Sequence, residues 1–197
     1  YFQERDVLIT HLATTIEELL KENHLKKVID VGCGSGRLVE FLNKRGFFTT
    51  GVDKSKEAVK RAQEINSKGQ IIQASAQKLP FKKESFDAIT AISVIEHLTA
   101  NQANIFISEA GRVLKRGGLI VIVTPNYSTP IRLMQGKKWF GYSDPTHLKF
   151  YTHGSLSKLL KSQGFINLRS RFILKKLPSL VWEFPPPFDK VPYFIKK

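Results

Sequence analysis

A doubly wound α/β fold with a mostly parallel sheet is predicted by three features of the sequence. An apolar run, Val28-Ile29-Asp30-Val31, breaks into a turn with alternate glycines, Gly32, Gly34 and Gly36, and resumes as an amphipathic pattern. A second strand pattern, Thr49-Thr50-Gly51-Val52, ends in a carboxylate, Asp53, about twenty residues after the first. Around these, strand-like and helix-like stretches alternate, which is the rhythm of parallel strands joined by right-handed crossovers.

Taken in order, Asp6 to Asn23 sets Leu8, Leu12, Ile16, Leu19 and Leu20 on one face of an N-terminal helix. The first strand and its glycine turn follow. With no side chains, the turn's backbone can take positive φ angles, and a ligand can lie against the main chain itself. Arg37 to Arg45 then forms a helix stopped by Gly46, and Lys56 to Ile65 a helix with Ala58, Val59 and Ala62 turned inward. Gln70 to Ala74 is a third strand, and Ser85 to Leu98 a central strand running into a loop. Ala103 to Leu114 is helical and is ended by Lys115-Arg116-Gly117-Gly118, after which Leu119 to Thr124 makes a buried fifth strand closed by Pro125-Asn126. From Tyr127 to Thr152 the apolar periodicity vanishes and aromatic, basic and turn residues mingle, the mark of a functional loop whose aromatics argue against disorder. Ser155 to Gln163 returns to helix, and Ile166 to Leu174 is a sixth strand.

The 197 residues, 42% hydrophobic, suit one domain with a sizeable core. The single cysteine, Cys33, precludes an internal disulfide framework and points to a reducing compartment, so a cytoplasmic location is expected. The longest purely apolar run, Leu119 to Val123, is far short of a membrane span. Tyr1-Phe2-Gln3 reads as the remnant of a cleavable tag and is set apart from the fold. A net charge of +14 admits nucleic acid, an anionic membrane or acidic small substrates as partners. The lysines are scattered over helix faces and the C-terminal third (Lys137, Lys138, Lys149, Lys158, Lys161, Lys175, Lys176), which favours a solvated surface over one binding groove.

The chemistry begins at Asp53. Its spacing from the glycine turn is that at which a doubly wound sheet places an acid on a ribose. A strand-ending Asp can also cap a helix, a role open equally to Ser55. A dinucleotide fingerprint, Gly-x-Gly-x-x-Gly, is not met: its last place falls on Arg37 or Val39. Asp30 followed by Gly32-x-Gly34-x-Gly36 resembles instead the first motif of the class I S-adenosylmethionine-dependent methyltransferases. Gln73-Ala74-Ser75-Ala76-Gln77-Lys78-Leu79-Pro80-Phe81 is similar to the loop with which these enzymes hold adenine, with Ser75 in place of the usual acid. Ser85 to Leu98 resembles their fourth-strand motif, and Leu114-x-x-Gly117-Gly118 their next one.

The resemblance spans Val28 to Asn126 with four motifs in order, and it implies a Rossmann-like methyltransferase fold with S-adenosyl-L-methionine as cofactor. It assigns cofactor contacts to Asp30, Gly32, Cys33, Gly34, Ser35, Gly36, Asp53, Lys54, Ser75, Ala76, Gln77, Ser93 and Val94. Cys33 is expected to fill space there and not to act as a nucleophile. Asp144-Pro145-x-His147-x-x-Phe150-Tyr151-Thr152 is similar to a branch that methylates small molecules, quinone precursors and sugars among them, so the expected acceptor is a small molecule, methylated on oxygen or, as the lesser alternative, on nitrogen. On this reading residues 4–174 are the cofactor-binding domain, and 127–152 are an acceptor-side lid inserted in it. His147 is the favoured candidate if a side chain takes the proton, with a structural role, its ring tying the loop to the sheet, equally open. His97 is its competitor, open to three roles: base, metal ligand with Glu96, or local packing. Packing is preferred for it, and no metal is expected.

Base-modifying methylases of exocyclic nitrogens carry Asp/Asn-Pro-Pro-Tyr where this chain has Ser93-Val94-Ile95-Glu96, so a nucleic-acid partner is disfavoured despite the charge. An RNA- or other macromolecule-modifying enzyme, or a non-catalytic cofactor-binding scaffold, is the alternative. The fold of this family ends in an antiparallel strand beside the fifth. In the tail, 175–197, Pro178, Pro185 to Pro187 and Pro192 exclude most residues from such a place. Either Val191 to Ile195 supplies a short version or the chain stops before it. Trp182, Phe184, Phe188, Tyr193 and Phe194 beside lysines suit peripheral contact with a membrane or a partner chain.

Overall fold

The sheet is built on β1 (Lys27–Val31), β2 (Phe48–Asp53), β3 (Gln70–Gln73), β4 (Phe86–Ile92) and β5 (Leu114–Val123), of which β1, β4 and the second half of β5 are apolar runs buried on both faces and β3 is a part-exposed edge. In the computed structural model, which describes residues 2–66, 69–171 and 191–195, these five are parallel and are joined by β6 (Leu168–Arg171) and β7 (Val191–Ile195). The sheet order is β3-β2-β1-β4-β5-β7-β6, with β7 antiparallel to both neighbours. Val191–Ile195 therefore supplies the short antiparallel strand. The rest of the tail, with Trp182, Phe184 and Phe188, lies outside the described residues, as do the last three residues of the sixth strand expected at Ile166 to Leu174 and the side chains of Tyr193 and Phe194.

Alternate residues of each strand face opposite layers. On one side Ile29, Val31, Ile89, Ile120 and Ile122 pack against α4 (Ala100–Val113), through Phe106, Ile107 and Ala110, and against Leu156 and Leu160 of α6 (His153–Ser162). On the other side Val28, Ala88, Leu119 and Val121 meet Leu12, Ile16 and Leu20 of α1 (Phe2–Glu22) and Leu38 and Leu42 of α2 (Arg37–Asn43). No helix among the described residues is long and apolar enough to cross a membrane.

Two boundaries differ from expectation. Helix α4 begins three residues before Ala103, because Thr99 and Gln102 close a capping box there. β5 takes in Lys115 to Gly118, expected as the helix stop: Leu114 already pairs with Phe86, and an irregularity between Phe86 and Ala88 absorbs the extra residues. Helix α3 (Lys56–Ile65) is capped by Ser55, whose Oγ accepts from Ala58 N.

This order brings the carboxyl ends of β1, β2 and β4 side by side, running into the glycine turn, Asp53 and Ser93 respectively. The Leu79-to-Phe81 loop is tied down by α4, where Arg112 donates to the Leu79 and Phe81 carbonyls (2.9 and 2.7 Å) and Glu109 accepts from Leu79 N (2.9 Å). The irregular segment after β5 contains α5 (Pro130–Gln135) and two 3-10 turns. It is pinned at its ends by a bridge between Asn126 and Tyr151 and in its middle by Trp139, which is fully buried.

Candidate active site

Gly32 N and Cys33 N both donate to the Val52 carbonyl (2.7 and 3.0 Å), folding the turn after β1 over the end of β2. Gly32 has φ +72°, and a Cβ there would lie 2.4 Å from Val94 Cγ2, so the fourth-strand loop closes against bare backbone. Gly34, at φ +53°, differs: a Cβ would meet nothing within 4 Å, and its face opens onto unfilled space. That open cradle, with an acid beside it, fits a nucleoside-type ligand. The acid is Asp53, whose Oδ2 accepts from Gly34 N and Oδ1 from Ser55 N, both at 2.9 Å. Each carboxylate oxygen keeps a further lone pair to offer.

The remaining cofactor-side candidates divide by what they touch. Asp30 is buried and accepts from Thr90 Oγ1 at 2.6 Å. Burial pushes its carboxyl up to about 7, against the pull of that hydrogen bond. The Cys33 side chain packs among Val39, Val59, Ala62 and Ile71, and burial drives its thiol up to about 12, which suits filling space. Ser35 is half-buried in the turn; Lys54 is exposed, and its carbonyl accepts from Gln73 Nε2. Ser75 Oγ is engaged with Gln77, donating to its Oε1 (2.9 Å) and accepting from its N–H (3.2 Å), while Ala76 packs on the core. Ser93 is exposed and sits at φ +54°, a region L-residues rarely occupy and one that recurs at functional sites.

One turn past Ser93 the chain builds a second constellation. Glu96 is 1% exposed, and neither carboxylate oxygen has a hydrogen-bond partner. Burial raises its carboxyl above the usual range, opposed by its own backbone N–H, by the nearby Thr124 hydroxyl, which falls short of full hydrogen-bond geometry, and by the imidazoles of His97 and His147. The Glu96 carbonyl accepts from Leu148 N and Lys149 N (2.8 and 3.1 Å), and this contact carries His147 in from 51 residues downstream. The two imidazoles meet edge to face, their centroids 4.8 Å apart.

Partners fix the tautomer of each ring. His147 Nδ1 lies 2.7 Å from the Gly141 carbonyl, which can only accept, so Nδ1 carries the proton and Nε2 keeps a lone pair. His97 Nδ1 lies 3.2 Å from the Thr146 carbonyl and 2.8 Å from Thr146 Oγ1, whose own proton goes to Asp144 Oδ1 at 2.6 Å. Its Nε2 is therefore free as well. Around the pair stand Phe150, stacked on Tyr127 with centroids 5.5 Å apart, and Tyr142, edge-on to both Phe150 and Trp139.

Comparison with known proteins gives the family. A methyltransferase-domain family model matches residues 29–122. The uncharacterized protein MJ1123 of Methanocaldococcus jannaschii is 30% identical over 170 residues, 86% of this chain and 78% of its own length. The chain belongs to the class I S-adenosylmethionine-dependent methyltransferases. The ubiquinone biosynthesis O-methyltransferase of Azorhizobium caulinodans is 30% identical over 126 residues, and this chain spans 49% of that protein. A SAM dependent methyltransferase from Archaeoglobus fulgidus shares the fold, with a TM-score of 0.65 and 24% identity over 81% of this chain and 72% of its own. The methyltransferase is thus an enzyme whose cofactor is S-adenosylmethionine, and the Gly34 cradle and Asp53 suit it.

Three residues of the site were not legible beforehand. Thr90, Thr146 and Gly141 act only as partners of Asp30, His97 and His147, across 60, 49 and 6 residues. Sequence spacing gives no signal for the first two. For Gly141, its place in a turn-rich stretch is the one available hint.

Proposed function

We propose that this methyltransferase transfers the methyl group to a hydroxyl oxygen of a small, flat acceptor seated between the glycine turn and the aromatic segment 127–152. What carries this reading is the pair His97 and His147 with both Nε2 lone pairs unspoken for, at the carboxyl end of β4 where open α/β sheets bind ligands. The similarity to a ubiquinone biosynthesis O-methyltransferase supports it.

When bound, S-adenosylmethionine supplies a methyl already activated by its sulfonium, so the C–S electron pair goes to sulfur as the acceptor oxygen forms its bond to carbon. The chain's own work is alignment and proton handling. Gly34 and Asp53, with Asp30, Cys33, Ser35, Gly36, Lys54, Ser75, Ala76, Gln77, Ser93 and Val94 around them, hold the nucleoside and amino-acid parts. Tyr127, Tyr142 and Phe150 wall the acceptor and exclude water. His147 Nε2 accepts the hydroxyl proton, and the Gly141 carbonyl on Nδ1–H steadies the imidazolium that results.

The test uses a panel of phenols and catechols with labelled cofactor. His147→Gln should lower kcat by about 10²-fold, the usual loss of general-base catalysis, with cofactor affinity unchanged. Full activity in that variant overturns the base role. Methylation confined to RNA or protein overturns the acceptor class.

A further inference from the structure

We infer that Glu96, His97 and His147 form a binding site for a divalent transition-metal cation. The inference rests on the acceptor site proposed above and names what completes it. One donor atom from each of the three side chains lies within 4.8 Å of the other two, close enough to share one ion. Two imidazoles and one carboxylate are a donor set that zinc and related first-row cations accept, with three protein ligands leaving a position open. Magnesium, which prefers an all-oxygen shell, is matched less well.

The independent observation is Glu96. A carboxylate buried to 1% exposure with both oxygens unpartnered is costly to hold in a chain that offers nothing in return. The Thr124 hydroxyl and the Tyr151 hydroxyl are also buried without hydrogen-bond partners. Meanwhile both histidines are arranged as metal ligands are: Nδ1–H is held by a backbone carbonyl, which fixes the ring and leaves the Nε2 lone pair as the donor. Thr146 and Asp144 brace His97, and Asp144 Oδ2 also lies 3.9 Å from His147 Nε2.

With a cation in place both Nε2 lone pairs would serve as ligands, which would replace the base role proposed for His147 above. A cation held by these three side chains would supply a Lewis acid, so that the acceptor hydroxyl would give up its proton to bulk water before the aromatic walls close on it, and the transfer itself would only form the O–C bond as the C–S pair goes to sulfur.

The experiment is a calorimetric titration of the chelator-treated full chain with Zn²⁺, Co²⁺ and Mg²⁺, with thermal melts and Co²⁺ absorption alongside. Zn²⁺ and Co²⁺ should bind one to one, and raise Tm further as their concentration rises, while Mg²⁺ does neither. Glu96→Gln and His147→Gln should abolish one-to-one binding, and Thr146→Val, which loosens His97, should weaken it by about 10- to 100-fold. A Glu96→Gln chain that melts at or above the wild-type temperature without cation shows that the loss is not one of folding. No one-to-one binding by the wild type, or equal binding by the Glu96 and His147 variants, overturns the site. Full methyl transfer after chelation overturns it too and leaves the hydroxyl-acceptor reading standing. Cation binding that these variants lose, beside methyl transfer only to non-hydroxyl acceptors, supports the site and overturns that reading instead.

Discussion

Two carboxyl groups lie buried near the carboxyl ends of neighbouring strands, and the chain treats them differently. Asp30, within β1, receives the Thr90 hydroxyl at 2.6 Å and stands beside a turn whose other acid, Asp53, is bonded to two backbone N–H groups. Glu96, just past β4, has no hydrogen bond of good geometry at either oxygen, although the backbone around it is well tied. Buried polar groups are normally paired, and the unpaired one here is the observation behind the proposed cation site. The proposed cofactor half is organised by the protein itself; the proposed acceptor half is organised as far as its backbone and left without partners at the Glu96 side chain.

Asp30 gives the largest effect that would break this contrast. Its carboxyl titrates at about 7 when folded, well above its ordinary 3.8, so the folded chain holds a proton that the unfolded chain has released between those values. Stability is then fully present below pH 4, falls as pH rises toward 7, and is level beyond. At 1.36 kcal/mol per unit the fall is on the order of 4 kcal/mol. Asp30→Asn keeps the acceptor for Thr90 and removes the titration, so its Tm should be higher than wild type by about 10 °C at pH 8 and equal to it at pH 4. Parallel Tm curves for the two proteins would show that Asp30 is as comfortable ionised as neutral.

Asp53 comes next. Asp53→Ala removes the acceptor of Gly34 N and Ser55 N together with the lone pairs offered to the cofactor, each charge-assisted bond being worth roughly 1.5 to 3 kcal/mol before solvent discount. Affinity for the demethylated cofactor should fall about a hundredfold by calorimetry. Unchanged affinity would move the nucleoside contact away from β2.

How much of this was readable follows the same divide. The glycine turn, Asp53 and the Lys56–Ile65 helix are local patterns, because the residues that make them also cap and terminate them. The parallel order followed from their rhythm. The start of α4 was legible in principle, since Thr99 and Gln102 spell a capping box, whereas the early start of β5 depends on Phe86, 28 residues earlier in sequence. The convergence of Glu96 and His97 with His147 is set by backbone bonds from Leu148 and Lys149, and no spacing announces a contact of that reach. Trp139 read as one aromatic in an irregular stretch, and it is the buried centre that packs the stretch together.

That packing sharpens the last and smallest prediction, which concerns how firmly the acceptor half is closed. We expect segment 127–152 to act as a lid, but its parts are unequal. Trp139 and Tyr151 anchor it, and Tyr127 N is bonded to the Tyr151 carbonyl at 2.8 Å. Leu133 and Met134 of α5 are 74% and 81% exposed, and Lys137 and Lys138 follow in an exposed 3-10 turn. Short exposed helices with few buried contacts open at low free energy, so trypsin should reach Lys137 and Lys138 before sites in the sheet or α4. A bound acceptor that touches Tyr127, Tyr142 and Phe150 should slow that cut, whereas the demethylated cofactor alone, held on the other half, should slow it less. Peptide mapping over a time course separates the two. Equal protection by the cofactor product alone would mean that the halves are coupled, and that the aromatic segment closes over the cofactor as much as over the acceptor.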